Sequence, residues 1–157
     1  MPKIYIATDH AGFSLKEELK SFLISLSYEV EDCGAYELNA SDDYPDFVRP
    51  CAEKVAKDTA SFGIIIGASG QGEAMVANKV PGVRAMVYYG DTHASQTDAD
   101  GNQYDMLTSA RAHNDANILS LGAKFLSVEE AKKAVVTFLQ TPASLDERHT
   151  RRRAKIG

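Results

Sequence analysis

The stretch 62–84 constrains the fold of this chain more than any other part of the sequence. Its first residues, 62–66, are an apolar run that does not alternate with polar residues, which is typical of a strand buried on both faces of a sheet. Residues 67–72 are small, and their backbone N–H groups can approach a ligand closely. Residues 73–79 follow as a predicted helix with its positive end at that turn. The stretch predicts an anion-binding corner, where Glu73 is either a positioned base or an ordinary acidic residue at a helix start.

The rest of the chain alternates strands and helices in the same way. Predicted strands cover 3–8, 28–32, 62–66, 83–88 and 116–121, and predicted helices cover 13–26, 45–57, 73–79, 106–113 and 127–139. Residues 90–103 are rich in turn-forming side chains and read as a surface loop or insertion, and 145–157 read as a basic helical tail. This alternation predicts one α/β domain over 1–157, a three-layer Rossmann-like fold with a five-stranded parallel sheet flanked by helices. Ligands then bind at the carboxyl ends of the strands.

The composition argues against several classes of protein. The 157 residues carry a net charge of -5, which disfavours a nucleic-acid partner. No apolar stretch reaches the ~18 residues of a membrane helix and the first residues do not resemble a signal segment, so we expect no membrane partner and a cytoplasmic location. Cys33 and Cys51 fit neither a disulfide framework nor a metal-site spacing.

Six short motifs occur along the chain in a fixed order. They are Ala7-Thr-Asp-His-Ala-Gly12, Asp43-Tyr-Pro-Asp46, Gly67-Ala-Ser-Gly-Gln-Gly-Glu73, Ala77-Asn-Lys-Val-Pro-Gly82, His113-Asn114 and Arg148-His-x-x-Arg152. Together they resemble the ribose-5-phosphate isomerase B family, which also contains the galactose-6-phosphate isomerase subunits. The resemblance runs from the first strand to the tail and misses mainly residues 90–103, where the chain is longer than the family usually is.

The resemblance implies an aldose–ketose isomerase that needs no cofactor and no metal. In one form of the family a cysteine at the start of the glycine turn takes the substrate proton, but the matching position here is Gly67. In the other form a glutamate in the first turn of the following helix replaces it, and Glu73 stands there. The chain therefore resembles the glutamate form, and Cys33 and Cys51 are expected to serve packing.

The resemblance also implies roles for residues outside the glycine turn. His113 and Asp9 would open the sugar ring, while Ser69 would bind a hydroxyl or the oxyanion beside the backbone N–H groups of the turn. The other positions expected to contact substrate are His10, Tyr44, Gly70, Gly72, Asn114, Lys124, Arg148 and Arg152. Structural alternatives stay open at three of these positions: a helix-end histidine, a capping aspartate and a loop-anchoring tyrosine.

The basic tail is the candidate phosphate site. Arg148 and Arg152 are four residues apart, so on a helix they share a face and can hold one phosphate. By resemblance His10 joins them, and Lys124 stands where the family can have an arginine. The basic residues expected to be merely solvated are Arg151, Arg153 and Lys155. In the family this tail packs at a subunit interface, so we expect a homodimer or a dimer of dimers with active sites built from both chains.

Three functions remain open at this stage. The first is isomerisation of ribose 5-phosphate and ribulose 5-phosphate, and the second is isomerisation of a four- or six-carbon aldose phosphate, since residues 35–43 and 90–103 leave substrate length open. The third is a non-enzymatic receiver or ligand-binding module that uses Asp9. A receiver carries an acidic pair after its first strand and an aspartate after its third, whereas here glycines follow the third, so this alternative ranks last.

Overall fold

The computed structural model describes residues 1–157 and contains a parallel sheet with helices on both faces. Its elements are β1 (Ile4–Thr8), α1 (Phe13–Ser25), β2 (Val30–Asp32), α2 (Pro45–Lys57), β3 (Phe62–Gly67), α3 (Gln71–Ala77), β4 (Ala85–Tyr88), β5 (Gln96–Thr97), β6 (Gln103–Tyr104), α4 (Met106–Asn114), β7 (Ile118–Gly122), α5 (Val128–Gln140) and α6 (Glu147–Ala154). The sheet order is β2-β1-β3-β7-β4, and every neighbouring pair is parallel. The predicted α/β fold with a five-stranded parallel sheet is confirmed.

The core has two layers because each helix presents an apolar side to the sheet. On one face α1 and α5 pack around residues such as Leu19 and Phe138, and on the other α2 packs around Val48. β3 lies between these layers, and its three isoleucines are fully buried, as its uninterrupted apolar run predicts. Cys33 and Cys51 are buried in the second layer as free thiols, where they fill space among apolar side chains.

A buried lysine fixes the loop that leads from β2 toward α2. Lys16 is fully buried, and its Nζ donates to both carboxylate oxygens of Asp32 at 2.7 Å and to the Ala35 carbonyl at 2.6 Å. Lys20 also donates to Asp32, at 2.7 Å. A buried charge is tolerated when it is paired and hydrogen-bonded in this way. The Lys16–Asp32 pair therefore holds the start of this loop against the sheet. Further polar residues of the loop follow on the same side.

Two local predictions differ from the structure. The helix after the glycine turn begins at Gln71 and ends at Ala77, so Glu73 lies within its first turn and does not start it. The stretch 90–103 is more ordered than the predicted loop, because β5 and β6 pair as a small antiparallel hairpin. Gly101 supplies the positive φ of +83° that the tip of this hairpin requires. None of the helices has the length and apolarity that crossing a membrane demands.

Candidate active site

Three strand ends bring turns together at the carboxyl edge of the sheet. Thr8 pairs with Ile66, and Gly67 pairs with Gly122, so β1, β3 and β7 end side by side. The turn after β7 is tied to the glycine turn, since Lys124 N–H donates to the Ala68 carbonyl at 3.0 Å. We call the residues of these turns, with the loop residues that pack on them, the carboxyl-edge cluster; its members are Asp9, His10, Asp42, Tyr44, Ser69, Gly70, Gly72, Glu73 and Lys124.

Glu73 is the buried acid of the carboxyl-edge cluster. Its exposed fraction is 4%, and its carboxyl group fills the space beside Gly67, where an added Cβ would lie 1.7 Å from Glu73 Oε1. Burial raises the pKa of Glu73, and the charge of Asp9 raises it further, while a hydrogen bond from its own backbone N–H opposes both. The carboxyl thus stands where a side chain on residue 67 would project, and its raised pKa suits proton transfer.

The glycines of the turn are required by close neighbours. Gly70 has φ +78°, in the left-handed region that favours glycine. An added Cβ at Gly72 would lie 2.4 Å from the Tyr44 hydroxyl, so Tyr44 reaches directly over the turn. Ser69 Oγ accepts from Gln71 N–H at 3.2 Å, and its hydroxyl stays close to the free N–H groups of the turn. The structure therefore brings Tyr44 onto the turn that carries Ser69, Gly70 and Gly72 and leads directly into Glu73.

Asp9 and His10 follow β1, and Asp42 orients His10. Asp9 is buried and its Oδ1 accepts from Ala11 N–H at 2.9 Å, so it also caps the short turn that follows. His10 bonds twice to Asp42 Oδ1, through its backbone N–H at 3.0 Å and its Nδ1 at 2.6 Å. That bond raises the pKa of His10; the charge of Asp9 adds to the effect, and Lys124 opposes it. His10 is therefore held as a hydrogen-bond donor beside Lys124, which suits an anion.

The Asp9, His10 and Asp42 side chains are also the one group in the chain that could hold a metal ion. Their potential ligand atoms lie within 4.8 Å of one another. The short His10–Asp42 hydrogen bond, however, already uses the ring nitrogen and one carboxylate oxygen that a metal would need. The side chain of Asp42 is only 8% exposed, and its Oδ2 is buried with no hydrogen-bond partner. The arrangement fits a histidine ring oriented by a carboxylate better than a metal centre.

His113 lies at the opposite edge of the sheet from Glu73. α4 ends at Asn114 and the chain then enters β7 at Ile118, so His113 sits at the amino edge. Glu73 follows β3 at the carboxyl edge, and a five-residue strand separates the two edges by roughly 16 Å. Within one chain the structure does not bring the predicted ring-opening histidine to the predicted base.

The histidine instead shares a cleft with the arginines of the tail. We call it the His113 cleft; its volume is about 510 Å³ and it is lined by Gln96, Thr97, Asp98, Ala99, Ser109, His113, Asn114, Arg148, His149 and Arg152. α6 is helical as predicted, and Arg148 and Arg152 both face this cleft. Four predicted site residues, including Asn114, thus meet here, away from the carboxyl-edge cluster.

The His113 ring is fixed between two other rings. It stacks on His149 with centroids 4.3 Å apart and meets the edge of Tyr104 at 4.6 Å. Burial lowers the pKa of His113, and the neighbouring His149 lowers it further. His113 Nε2 is buried and has no hydrogen-bond partner within the chain. The sequence predicts no role for His149, and the structure gives it this packing role.

The Ser109 hydroxyl sets which nitrogen of the His113 ring carries the proton. Ser109 Oγ donates to Gln96 Oε1 at 2.6 Å and lies 3.4 Å from His113 Nδ1. Because a hydroxyl has a single proton, Ser109 can only accept from His113 Nδ1. The neutral ring is then protonated on Nδ1 and carries its lone pair on Nε2, which makes Nε2 a base.

The expectation that Arg153 is merely solvated is wrong. Its Nη2 donates to the Ser144 carbonyl at 2.9 Å, and its Nη1 donates to the His113 carbonyl at 3.4 Å. It therefore ties α6 to the end of α4. Arg151 does point to solvent, where it pairs with Glu147 on its own helix.

The sequence of the chain matches that of a known family over almost its whole length. The sequence model described as Ribose/Galactose Isomerase matches residues 4–156. The chain belongs to the ribose/galactose isomerase family. Among similar proteins, ribose-5-phosphate isomerase B of Mycolicibacterium paratuberculosis is 37% identical over 150 residues, which are 96% of this chain and 86% of that protein.

Solved members of the ribose/galactose isomerase family have the same fold. Ribose-5-phosphate isomerase B of Mycoplasma genitalium, crystallised with bound ribulose-5-phosphate, has a TM-score of 0.83 and 35% identity, covering 98% of this chain and 93% of that one. The ribose 5-phosphate isomerase of Thermotoga maritima has a TM-score of 0.82 and 39% identity, covering 99% and 97%. Both structures share the fold of this chain over nearly its whole length.

The sequence motifs did not identify two residues that contact predicted site residues. Asp42 orients His10, and Tyr104 packs on His113, although neither lies in a recognised motif. Asp42 directly precedes the Asp-Tyr-Pro motif, and that position is the one signal in the sequence that could have found it. Tyr104 could not have been found, because its contact depends on the hairpin folding back onto α4.

Proposed function

We propose that this chain interconverts ribose 5-phosphate and ribulose 5-phosphate through an enediolate, with no cofactor. The observation that carries the proposal is the Glu73 carboxyl, which is nearly enclosed within a turn of small residues and has a raised pKa. A carboxyl in this environment can take a proton from carbon and return it to the neighbouring carbon. The Mycoplasma genitalium relative with bound ribulose-5-phosphate supports the choice of substrate.

The glycine turn supplies the charge stabilisation that this reaction requires. Removal of the proton beside the carbonyl moves negative charge onto the carbonyl oxygen. N–H groups of the turn around Ser69 and Gly70, which directly precedes the helix that carries Glu73, can donate to that oxygen, a contribution of roughly 3–4 kcal/mol per donor. Because the base and the donors come from one turn, a substrate held above it meets both at once.

Ring opening is the proposed task of His113, with Asp9 on the other side of the sugar. The His113 lone pair on Nε2 can take the proton of the anomeric hydroxyl, and the resulting imidazolium can return a proton to the departing ring oxygen. Arg148 and Arg152, which line the same cleft, would hold the phosphate. His10 and Lys124 would complete that anion site from the carboxyl-edge cluster.

These tasks require two chains. Glu73 and His113 lie at opposite edges of one sheet, roughly 16 Å apart along the strands, and a sugar phosphate is shorter than that. We therefore infer a homodimer, alone or within a dimer of dimers, in which the carboxyl-edge cluster of one chain faces the His113 cleft of the other. Such a two-fold interface gives two identical sites.

A substrate comparison tests the reaction. The purified protein should isomerise ribose 5-phosphate with a higher kcat/KM than it shows for a tetrose phosphate, galactose 6-phosphate or allose 6-phosphate. Activity should persist after exhaustive chelation, since the amide donors and Glu73 cover the required charge stabilisation. A preference for a four- or six-carbon substrate would instead support isomerisation of another aldose phosphate. No turnover of any sugar phosphate would reject the proposal.

Mixing two inactive variants tests the shared site. Glu73→Gln and His113→Ala should each be nearly inactive as pure proteins. In a mixed dimer one site loses both groups and the other keeps both, so random exchange of chains should restore about a quarter of wild-type activity if a two-fold interface builds the site. If each site lay within one chain, the mixture would recover nothing. A mixture of Glu73→Gln with itself after the same exchange procedure is the control.

A further inference from the structure

The hairpin of β5 and β6 carries a rigid tip. Asp98 Oδ1 accepts from the backbone N–H groups of Asp100 and Asn102, both at 2.9 Å. Asn102 Nδ2 also donates to Asp98 Oδ2 at 3.3 Å. A side chain that bonds to the backbone two residues on fixes a turn, and Gly101 closes this one. The direction in which Asp100 projects is therefore set by the turn.

The base of the hairpin is attached to α4. Ser109 Oγ donates to Gln96 Oε1 at 2.6 Å, and the Tyr104 ring packs against His113. These contacts hold the hairpin as one wall of the His113 cleft, to which it contributes residues 96–99. Consequently the tip lies beside α6.

Asp100 reaches the first arginine of the candidate phosphate site. Arg148 Nη2 donates to Asp100 Oδ2 at 2.8 Å, and Arg148 Nε lies 3.5 Å from Asp146 Oδ1. Arg152 lines the same cleft and forms no ion pair. Of the two cleft arginines, one is thus already occupied by a carboxylate of its own chain.

We propose that Asp100 is a specificity-determining residue that competes with the substrate phosphate for Arg148. The inference rests on the proposed function, in which Arg148 binds that phosphate. A carboxylate and a phosphate offer the same oxygen acceptors to a guanidinium, and two anions on one guanidinium repel each other. A ligand must therefore displace Asp100, and a phosphate dianion does so better than a singly charged group. Asp100 raises the KM for the sugar phosphate and rejects weaker anions.

The test is Asp100→Asn in the full-length protein at low salt. We expect the KM for ribose 5-phosphate and the calorimetric Kd of inorganic phosphate to fall about two- to fivefold, the range typical of exposed ion pairs. The kcat should stay within about twofold, because phosphate binding in the ground state and transition state changes alike. Discrimination between inorganic phosphate and the singly charged acetate should weaken.

Glu147→Gln is the matched control, because it removes the same charge from an exposed ion pair on α6. It should leave the Kd of phosphate nearly unchanged. In an Arg148→Ala background, Asp100→Asn should lose most of its effect. Measuring the Kd of phosphate requires no turnover. An inactive wild type would therefore reject the proposed function, while the phosphate Kd values of the wild type and the variants would still decide the role of Asp100.

Two results would overturn the inference. A higher Kd in Asp100→Asn would mean that Asp100 positions Arg148 for the ligand and does not compete with it. Equal tightening in Glu147→Gln, or an undiminished effect without Arg148, would mean that only the overall charge of the surface matters.

Discussion

Replacing Gly67 by alanine should remove most of the activity and leave the protein folded. The added Cβ would lie 1.7 Å from Glu73 Oε1 and 2.0 Å from Glu73 Cδ, whereas ordinary contacts begin at 3.4 Å. The carboxyl must therefore retreat by well over 1 Å. A displacement of that size costs about 100-fold in rate. Since each tenfold is about 1.36 kcal/mol, the barrier should rise by about 2.7 kcal/mol.

The loss of folding stability in Gly67→Ala should be too small to unfold the protein. The φ of Gly67 lies outside the left-handed region, so alanine suits the backbone, and the obstructing atoms are the end of a flexible side chain. Overpacking of this kind costs typically about 1–3 kcal/mol, less than the about 5–15 kcal/mol of a stable domain. Thermal unfolding and circular dichroism should show a folded protein.

The assay is steady-state isomerisation of ribose 5-phosphate by Gly67→Ala, with kcat and KM determined separately. Gly63→Ala in the same strand is the control, because its Cβ would meet Ile118 Cγ1 at 2.9 Å and Val55 Cγ2 at 3.0 Å in the core. That variant should melt earlier yet keep its kcat. A Gly67→Ala kcat within about threefold of wild type would refute the assigned position of the base. Gly67→Cys combined with Glu73→Ala should regain part of the rate that Glu73→Ala loses, because the introduced thiol occupies the space that the Glu73 carboxyl leaves empty.

Three further outcomes are expected. Glu73→Gln should abolish turnover and raise the melting temperature at neutral pH: the folded state raises the pKa of Glu73, so stability falls as pH rises through that pKa, and the amide avoids the loss. In the wild type, kcat/KM should rise with pH as Glu73 ionises, and the midpoint of that rise should lie above the pKa of an ordinary glutamate. The lowered pKa of His113 keeps its ring neutral near pH 7. In denaturant titrations Arg153→Ala should be less stable than Arg151→Ala, because Arg153 donates to the carbonyls of Ser144 and His113, whereas an exposed pair such as that of Arg151 is worth about 0.2–1 kcal/mol.

The sequence by itself determined the local elements and the candidate site residues that they carry. The apolar run of β3 and the helical spacing of Arg148 and Arg152 are short-range patterns, and the backbone follows them almost residue by residue. The absence of a side chain at Gly67 and the presence of Glu73 were equally visible, although only coordinates show that the carboxyl fills the space beside that glycine.

Only the tertiary structure decided which of these residues meet. Whether His113 lies at the amino or the carboxyl edge depends on the strand that follows α4, and that pairing joins residues far apart in sequence. The same holds for the Asp42 contact with His10 and for the Asp100 contact with Arg148, which span 32 and 48 residues. Short-range periodicity carries no information on such contacts, because they form only when separate elements pack on a common sheet.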